Sequence, residues 1–209
     1  TTVVNYLFRS DLPEIGSAGN RSFAWNELMS YMAERADAAG LPWPTHRQPY
    51  VVDLSLLDAV KDASKYDVEK KFFAAHPELG EFHLWSIWGI DVNPNSLGKH
   101  ERNAMLDVFH LWDVDQLSSR LPDLHKMMTT DYGAPRVFLF HCYSGVDRTG
   151  EFGGAWQLKY GGWNLTQAIA WDTAIKGKPI LTPNSDMLAW YCYYLEQKEG
   201  MSGLACNHP

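Results

Sequence analysis

Residues 141–150 read His-Cys-Tyr-Ser-Gly-Val-Asp-Arg-Thr-Gly, and this stretch constrains the fold of the chain more than any other. The apolar run at 136–140 before it is typical of a buried strand, and residues 151–160 after it suit a helix. A strand, a tight loop and a helix in this order point successive backbone N–H groups at one place, where the helix N-terminus also favours an anion. The sequence therefore predicts an anion-binding loop.

Two side chains give this loop a chemistry. Cys142 lies where amide dipoles and an arginine stabilise a thiolate. Arg148 offers a planar fork that binds two phosphate oxygens at once. A buried cysteine with a chance arginine nearby is the alternative, but it does not explain the glycines, the serine and the Thr-Gly pair. The loop is predicted to combine a nucleophile with a phosphate cradle.

The segment Cys142-Tyr-Ser-Gly-Val-Asp-Arg148-Thr-Gly150, preceded by His141 and an apolar strand, resembles the signature of the cysteine-dependent protein tyrosine phosphatase superfamily. Its Asp-Arg-Thr-Gly form is most similar to dual-specificity and bacterial-type tyrosine phosphatases and to some phosphoinositide phosphatases. The resemblance extends to Arg9-Ser-Asp-Leu-Pro13, which is similar to an Arg-Ser-x-x-Pro element of the family. It implies a cysteine-dependent phosphatase that works through a cysteinyl-phosphate intermediate.

The resemblance also implies roles for single residues. Cys142 is the expected nucleophile, His141 supports the loop from behind, and the Thr149 hydroxyl stabilises the thiolate. Asp147 either orients water or a substrate hydroxyl, or holds the loop, and the structural role is favoured. The expected phosphate-binding residues are Tyr143, Ser144, Gly145, Val146, Asp147 and Arg148.

The leaving oxygen needs a proton, so a carboxylic acid on a separate loop is required. Asp91 follows a convincing strand and lies in Trp88-Gly-Ile-Asp-Val-Asn-Pro94, which is similar to the family's Trp-Pro-Asp loop. Asp113 and Asp115 lie nearer the signature, as in compact family members, but within a run of helical periodicity. Asp91 is the preferred general acid, and Asp113 or Asp115 is the alternative. Gln167 and Asn184 are candidates for positioning water.

Periodicity and turn residues predict a single domain over 1–209 with strands alternating with helices. This order indicates an α/β fold of the protein tyrosine phosphatase type, with a mainly parallel central sheet flanked by helices. The expected strands are 3–10, 50–54, 81–88 and 136–140. The expected helices are 21–39, 56–75 (outside the core), 101–128 (interrupted at Pro122), 148–160, 165–176 (capped by Asn164) and 185–199.

Composition limits the partners. The net charge of −7 disfavours nucleic acid and anionic membranes, and no apolar run is long enough to insert into a bilayer. Eight scattered histidines indicate neither a metal site nor a cofactor.

The three cysteines do not predict a disulfide framework. A working thiolate favours a reducing, cytoplasmic setting, although the start at Thr1 leaves a secreted form open. Nothing in the sequence indicates the oligomeric state.

The loop also suggests the substrate class. Phosphoinositide-selective relatives often carry lysines between the cysteine and the arginine, and residues 143–147 contain none. A phosphorylated protein, above all one bearing phosphotyrosine, or a small phosphomonoester is therefore the expected substrate. An inositol-phosphate or phosphoinositide phosphatase is the alternative enzyme. An inactive module that only binds a phospho-ligand is the alternative from another class.

Overall fold

The structure, a computed structural model, describes residues 4–17, 19–44 and 48–207. The chain divides into two compact units, one of residues 1–85 with 127–143 and one of 86–126 with 144–209. The division falls inside the signature, between Tyr143 and Ser144. The single domain over 1–209 stays a prediction, and Val3, the first residue of the first predicted strand, lies outside the described residues.

The first unit is built on a four-stranded sheet whose strands all run parallel, in the order β1-β6-β4-β5. These strands are β1 (Tyr6–Ser10), β4 (Tyr50–Ser55), β5 (Gly80–Leu84) and β6 (Arg136–His141). The predicted fold class, α/β with a parallel central sheet flanked by helices, is confirmed. The strand at 81–88 was predicted too long, because from Trp85 onward the chain leaves the sheet after one last bond to Ser55.

One face of this sheet carries an apolar cluster with helices α1 (Trp25–Ala38) and α2 (Ala63–Ala75). The cluster consists of Tyr6, Phe23, Leu28, Met32, Val51, Phe73, Val137 and Leu139. Side chains alternate along a strand, so Asp53 lies on the same face as Val51, and His141 on the same face as Leu139. Two polar groups are therefore placed beneath a helix, at the carboxyl end of the sheet.

Both helices of the first unit begin later than predicted. An antiparallel hairpin of β2 (Glu14–Ser17) and β3 (Asn20–Phe23) comes first, and α1 starts after it. The chain at 56–62 is a loop that starts with a backbone bond from Leu56 to His141. The prediction that the helix at 56–75 lies outside the core is wrong, since α2 buries Glu69 and Phe73.

The second unit is helical. Its elements are α3 (Lys99–Asp107), α4 (Leu117–Thr129) up to residue 126, α5 (Asp147–Tyr160), α6 (Leu165–Lys176) and α7 (Asn184–Lys198), with short 3-10 turns at 94–96 and 109–111. Apolar side chains of these elements are fully buried, among them Phe109, Phe152 and Trp190. Asn164 caps α6 as predicted, in a reciprocal capping box with Gln167.

The predicted helix at 101–128 is two helices. Residues 108–116 separate α3 from α4 and contain Asp113, whose carboxylate accepts hydrogen bonds from the first turn of α4. Pro122 does not interrupt the helix as expected, because it lies inside α4 and removes only one backbone donor. The hydrophobic periodicity by itself does not reveal the break between these two amphipathic helices.

Candidate active site

The nucleophile candidate follows the last residue of a central parallel strand. Cys142 comes directly after β6 and is only 2% exposed. Backbone bonds hold the chain on both sides of it, from Leu56 N to the His141 carbonyl (2.8 Å) and from Leu12 N to the Tyr143 carbonyl (3.3 Å). In parallel sheets the carboxyl ends of the strands are where ligands bind.

A buried ionic group lies behind the cysteine. The Nε2 atom of His141 lies 3.0 Å from Asp53 Oδ1 and 3.4 Å from Glu69 Oε1, and all three side chains are fully buried. Burial opposes a charge on His141, but the carboxylates of Glu69 and Asp53 outweigh it and raise the pKa of His141 to about 9. Burial, and then the charge of Asp53, raises the pKa of Glu69 against the opposing effect of His141.

The raised pKa makes His141 an imidazolium at neutral pH, and its Nε2 atom lies within 3.0 Å of the Asp53 carboxyl group and 3.4 Å of the Glu69 carboxyl group. A paired charge is the arrangement that an interior tolerates, because an unpaired buried charge is costly. The residue next to Cys142 is thus positively charged, which fits the predicted supporting role of His141.

The same three residues bear on the expectation that no metal is bound. Within the described ranges, Asp53, Glu69 and His141 are the one group whose ligand atoms approach one another closely enough, within 4.8 Å, to hold an ion. The spacing suits a divalent cation, but it also suits a direct pair between the His141 imidazolium and the Asp53 carboxyl group without one. The absence of a metal stays a prediction.

Tyr143, the first loop residue after the cysteine, is 53% exposed and borders a groove along the β2–β3 hairpin. Lys65 of α2 lies over its ring, with Nζ 4.3 Å from the ring centre, and also pairs with Asp62 at 2.6 Å. A cation therefore stands beside the signature although the loop itself contains no lysine. No pattern in the sequence indicates this cation, because Lys65 is distant from Tyr143 in the chain.

The second unit holds the rest of the signature. Gly145 has a φ of +66°, a left-handed conformation that favours glycine, and α5 begins at Asp147. The Asp147 carboxylate accepts a 2.9 Å hydrogen bond from Leu181 N, which supports the structural role favoured for it. Arg148 lies half-buried in the first turn of α5, and Thr149 is fully buried. The N-terminus of α5 thus begins within the loop, as an anion site requires.

The preferred general acid lies on a loop with many backbone bonds. Asp91 is exposed, between Ile90, whose N–H donates to the Pro183 carbonyl (3.2 Å), and Val92, whose carbonyl accepts from Trp190 Nε1 (2.7 Å). An exposed carboxyl group on a fixed loop can give a proton to a bound ligand.

The two alternative acids are buried and already bonded. Asp113 accepts from Leu117 N (3.1 Å), Ser118 N (3.0 Å) and the Ser118 hydroxyl (2.6 Å). Asp115 is fully buried and accepts from the backbone of the Asp91 loop. These bonds favour structural roles for both residues.

The candidates for positioning water have other partners. Gln167 takes part in the α6 capping box, and the Asn184 amide donates to Glu151 at 2.6 Å. Sequence reasoning missed Glu151 and Glu69, which are fully buried. The signals were present: Glu69 stands four residues before buried Phe73 on one helix, and Glu151 interrupts a run of small and apolar residues after Gly150.

The cysteines differ from expectation. Cys192 and Cys206 form a disulfide, and Cys142 is the free cysteine of the chain. The sequence predicted no disulfide framework and did not indicate this single pair, because residues 192 and 206 meet only when the chain after α7 folds back.

The fold is similar to that of known solved structures, although no sequence comparison finds a match. No protein-family model matches the chain, and no curated protein sequence does. Among solved structures it is similar to a kinase-associated phosphatase carrying serine in place of its catalytic cysteine, with a TM-score of 0.52 and 15% identity over 94% of this chain and 88% of that one. It also matches a protein tyrosine phosphatase of Leishmania major, with a TM-score of 0.35 and 15% identity over 88% of this chain and 83% of that one.

The parallel sheet with its helices is thus the fold of the kinase-associated phosphatase structure. Across the described ranges, no helix has the length and apolar character needed to cross a membrane.

Proposed function

We propose that the chain is a phosphoric monoester hydrolase that works through a cysteinyl-phosphate intermediate. The observation that carries the proposal is the position of the signature, with Cys142 directly after β6 and Arg148 in the first turn of α5. The phosphatase fold of the solved neighbour supports it.

The proposed reaction has two displacements. The Cys142 thiolate attacks phosphorus, and an S–P bond forms as the bond to the leaving oxygen breaks. Asp91 gives its proton to that oxygen. Water then attacks phosphorus, the S–P bond breaks, and the Asp91 carboxylate takes the proton of the water. Arg148 and the backbone N–H groups of residues 143–148 stabilise the charge on the equatorial oxygens.

The electrostatic setting supports the first step. The imidazolium of His141, held by Asp53 and Glu69, directly precedes the proposed nucleophile in the chain. Thr149 is fully buried directly after Arg148 in the chain, and we propose that its hydroxyl stabilises the thiolate as leaving group.

We propose phosphotyrosine in proteins, together with small aryl phosphates, as the substrate class. The lysine-free loop and the exposed Tyr143 ring support an aromatic monoester. An inositol phosphate or phosphoinositide is the second candidate, and Lys65 beside Tyr143 is the observation that favours it. Equal turnover of phosphotyrosine peptides and inositol lipids would remove the preference.

Trapping the intermediate tests the function directly. Acid quench during turnover of p-nitrophenyl phosphate should leave one phosphoryl group on Cys142, seen by mass spectrometry, and Cys142→Ser should abolish turnover. Full turnover by Cys142→Ser contradicts the mechanism. Binding of phosphate without turnover by the wild type would instead favour the inactive phospho-ligand module.

The compartment is also a proposal. A catalytic thiol favours the cytoplasm, whereas the Cys192–Cys206 disulfide is typical of oxidising compartments and weighs against it. Thiol counting on protein isolated under non-reducing conditions distinguishes the two, because a cytoplasmic protein should yield three free thiols and an oxidised one only Cys142.

A further inference from the structure

A buried hydrogen-bond network in the second unit joins α5 and α7 to the loop that carries Asp91. The fully buried Asp115 carboxylate accepts from Trp88 N (2.6 Å) and Gly89 N (2.8 Å). Glu151 of α5, also fully buried, is hydrogen-bonded to Asp115. On its other side Glu151 accepts from the Asn184 amide at 2.6 Å.

A hydrogen bond between two carboxyl groups requires that one of them carries the proton. Burial, followed by the charge of Asp115, raises the pKa of Glu151 well above its ordinary value. Burial raises the pKa of Asp115 as well, but the N–H groups of Trp88 and Gly89 oppose this and favour its ionised form. The proton therefore lies on Glu151, which donates to Asp115. Asp113 and Arg120 are the other charged groups that act on this pair.

The same loop is held at two further points. Gly89 has a φ of +73°, and a Cβ atom there would lie 2.6 Å from the Pro183 carbonyl carbon, so the two chain segments touch. Ile90 N and the Val92 carbonyl bond to Pro183 and Trp190, on the two sides of Asp91. Asn184, the donor to Glu151, directly follows Pro183. One network thus fixes the backbone before Asp91 and the helix start against which it packs.

We propose that Glu151 is a positioning residue for the general acid, acting through Asp115 on the backbone of residues 88–90. This inference rests on the function proposed above, in which Asp91 protonates the leaving oxygen. Neither Glu151 nor Asp115 touches the reacting atoms in this scheme. Asp115 places the loop, and protonated Glu151 keeps the Asp115 carboxylate in place.

The leaving group provides a readout that a structural role alone would not change. Phenyl phosphate needs a proton on its leaving oxygen, whereas 2,4-dinitrophenyl phosphate departs without one. Displacing an acid by about 1 Å costs about 10²-fold in rate. Asp115→Asn places an amide N–H₂ group against the backbone N–H of Trp88 or Gly89. Glu151→Leu removes the group that donates to Asp115. Both should lower kcat/KM for phenyl phosphate by about 10²-fold and leave kcat/KM for the dinitrophenyl ester unchanged, because kcat/KM reports only the steps up to departure of the leaving group.

Glu151→Gln is the matched rescue, because its amide donates to Asp115 and accepts from Asn184 at every pH. It should keep the wild-type ratio of kcat/KM for the two substrates. Asp107→Asn, on the surface at a contact with Lys198, is the control that should change neither substrate. Equal loss on both substrates, or no loss, in Asp115→Asn overturns the inference.

If the proposed phosphatase function is wrong, the wild type hydrolyses neither ester. If the wild type is active and Asp91→Asn shows the leaving-group effect while Asp115→Asn does not, only the positioning role fails. Amide hydrogen exchange gives the independent readout: Trp88 and Gly89 should exchange faster in Asp115→Asn and Glu151→Leu than in Glu151→Gln. Unchanged exchange in a folded Asp115→Asn also overturns the inference.

Discussion

The His141 imidazole lies 3.0 Å from the Asp53 carboxylate, and neither side chain is exposed to solvent. They stand on neighbouring parallel strands, where Ser55 pairs with His141 and Asp53 comes two residues earlier on the same face. Three ionisable groups thus meet in the core next to the expected nucleophile, with Glu69 as the third.

Removing one partner of the His141–Asp53 pair should lower the free energy of unfolding substantially. Asp53→Asn leaves the His141 imidazolium without its counter-ion, and removing one partner of a buried pair costs roughly 3–5 kcal/mol. Urea unfolding at pH 7 measures the loss. Asp67→Asn, which removes an exposed ion pair with Lys71, is the control and should cost less than about 1 kcal/mol. Equal effects of the two variants would show that the buried pair contributes nothing special.

The stability of the protein should fall as the pH rises toward 9. The pKa of His141 is raised to about 9, so its stabilising contribution is complete below pH 6.5 and is lost as pH rises through about 9. The pKa of Glu69 is also raised, and its contribution is likewise lost with rising pH. Urea unfolding from pH 5 to 9 measures the slope, and Glu69→Gln should make it shallower. A stability that rises with pH, or an unchanged slope in the variant, contradicts the assignment.

The pH–rate profiles of variants at Asp91 and Asp113 should show which of these residues is the general acid. Asp91→Asn should lower kcat for phenyl phosphate by about 10²–10⁴-fold and remove the basic limb, because no acid remains to protonate the leaving oxygen. Asp113→Asn is the matched comparison. It should keep the basic limb and lose only about 1 kcal/mol of stability, since Asp113 bonds to the first turn of α4. Loss of the basic limb in Asp113→Asn alone would reverse the assignment.

Gly89→Ala tests the packing of the acid loop. The positive φ costs about 1–3 kcal/mol for a residue with a Cβ atom, and the contact with Pro183 adds a clash. Gly162→Ala isolates the first effect, because Gly162 has a φ of +70° with nothing within 4 Å of the added atom. Thermal unfolding should show the larger loss for Gly89→Ala, and equal losses would mean that the loop moves away freely.

Removing the disulfide should destabilise the protein without affecting turnover. The two cysteines are separated by 14 positions, and closing a loop of about this length contributes about 3 kcal/mol. The double variant Cys192→Ala, Cys206→Ala should show this loss in urea unfolding and retain kcat for p-nitrophenyl phosphate. A fall in kcat in the folded variant would assign the disulfide a part in the site.

Much of the fold was predictable from local patterns. The strands at 50–54 and 136–140 were predicted because each is a short apolar run bounded by turn residues, and α6 because Asn164 caps an amphipathic segment. The helix at 101–128 was predicted wrongly for the converse reason. The Asp113 carboxylate bonds to the backbone at the start of a new helix, and a hydrophobic period does not show where a side chain bonds to the backbone.

The sequence by itself determined the strand, loop and helix around Cys142 and Arg148, because these features depend on neighbouring residues and on the conformations that glycine allows. Only the tertiary structure decided which acidic residues are free to react and which are bonded. Asp115, Glu151, Asp53 and Glu69 are ordinary carboxylates in the sequence. Their burial and their partners arise from segments far apart in the chain, and it is burial and partners that set the charge of a carboxyl group.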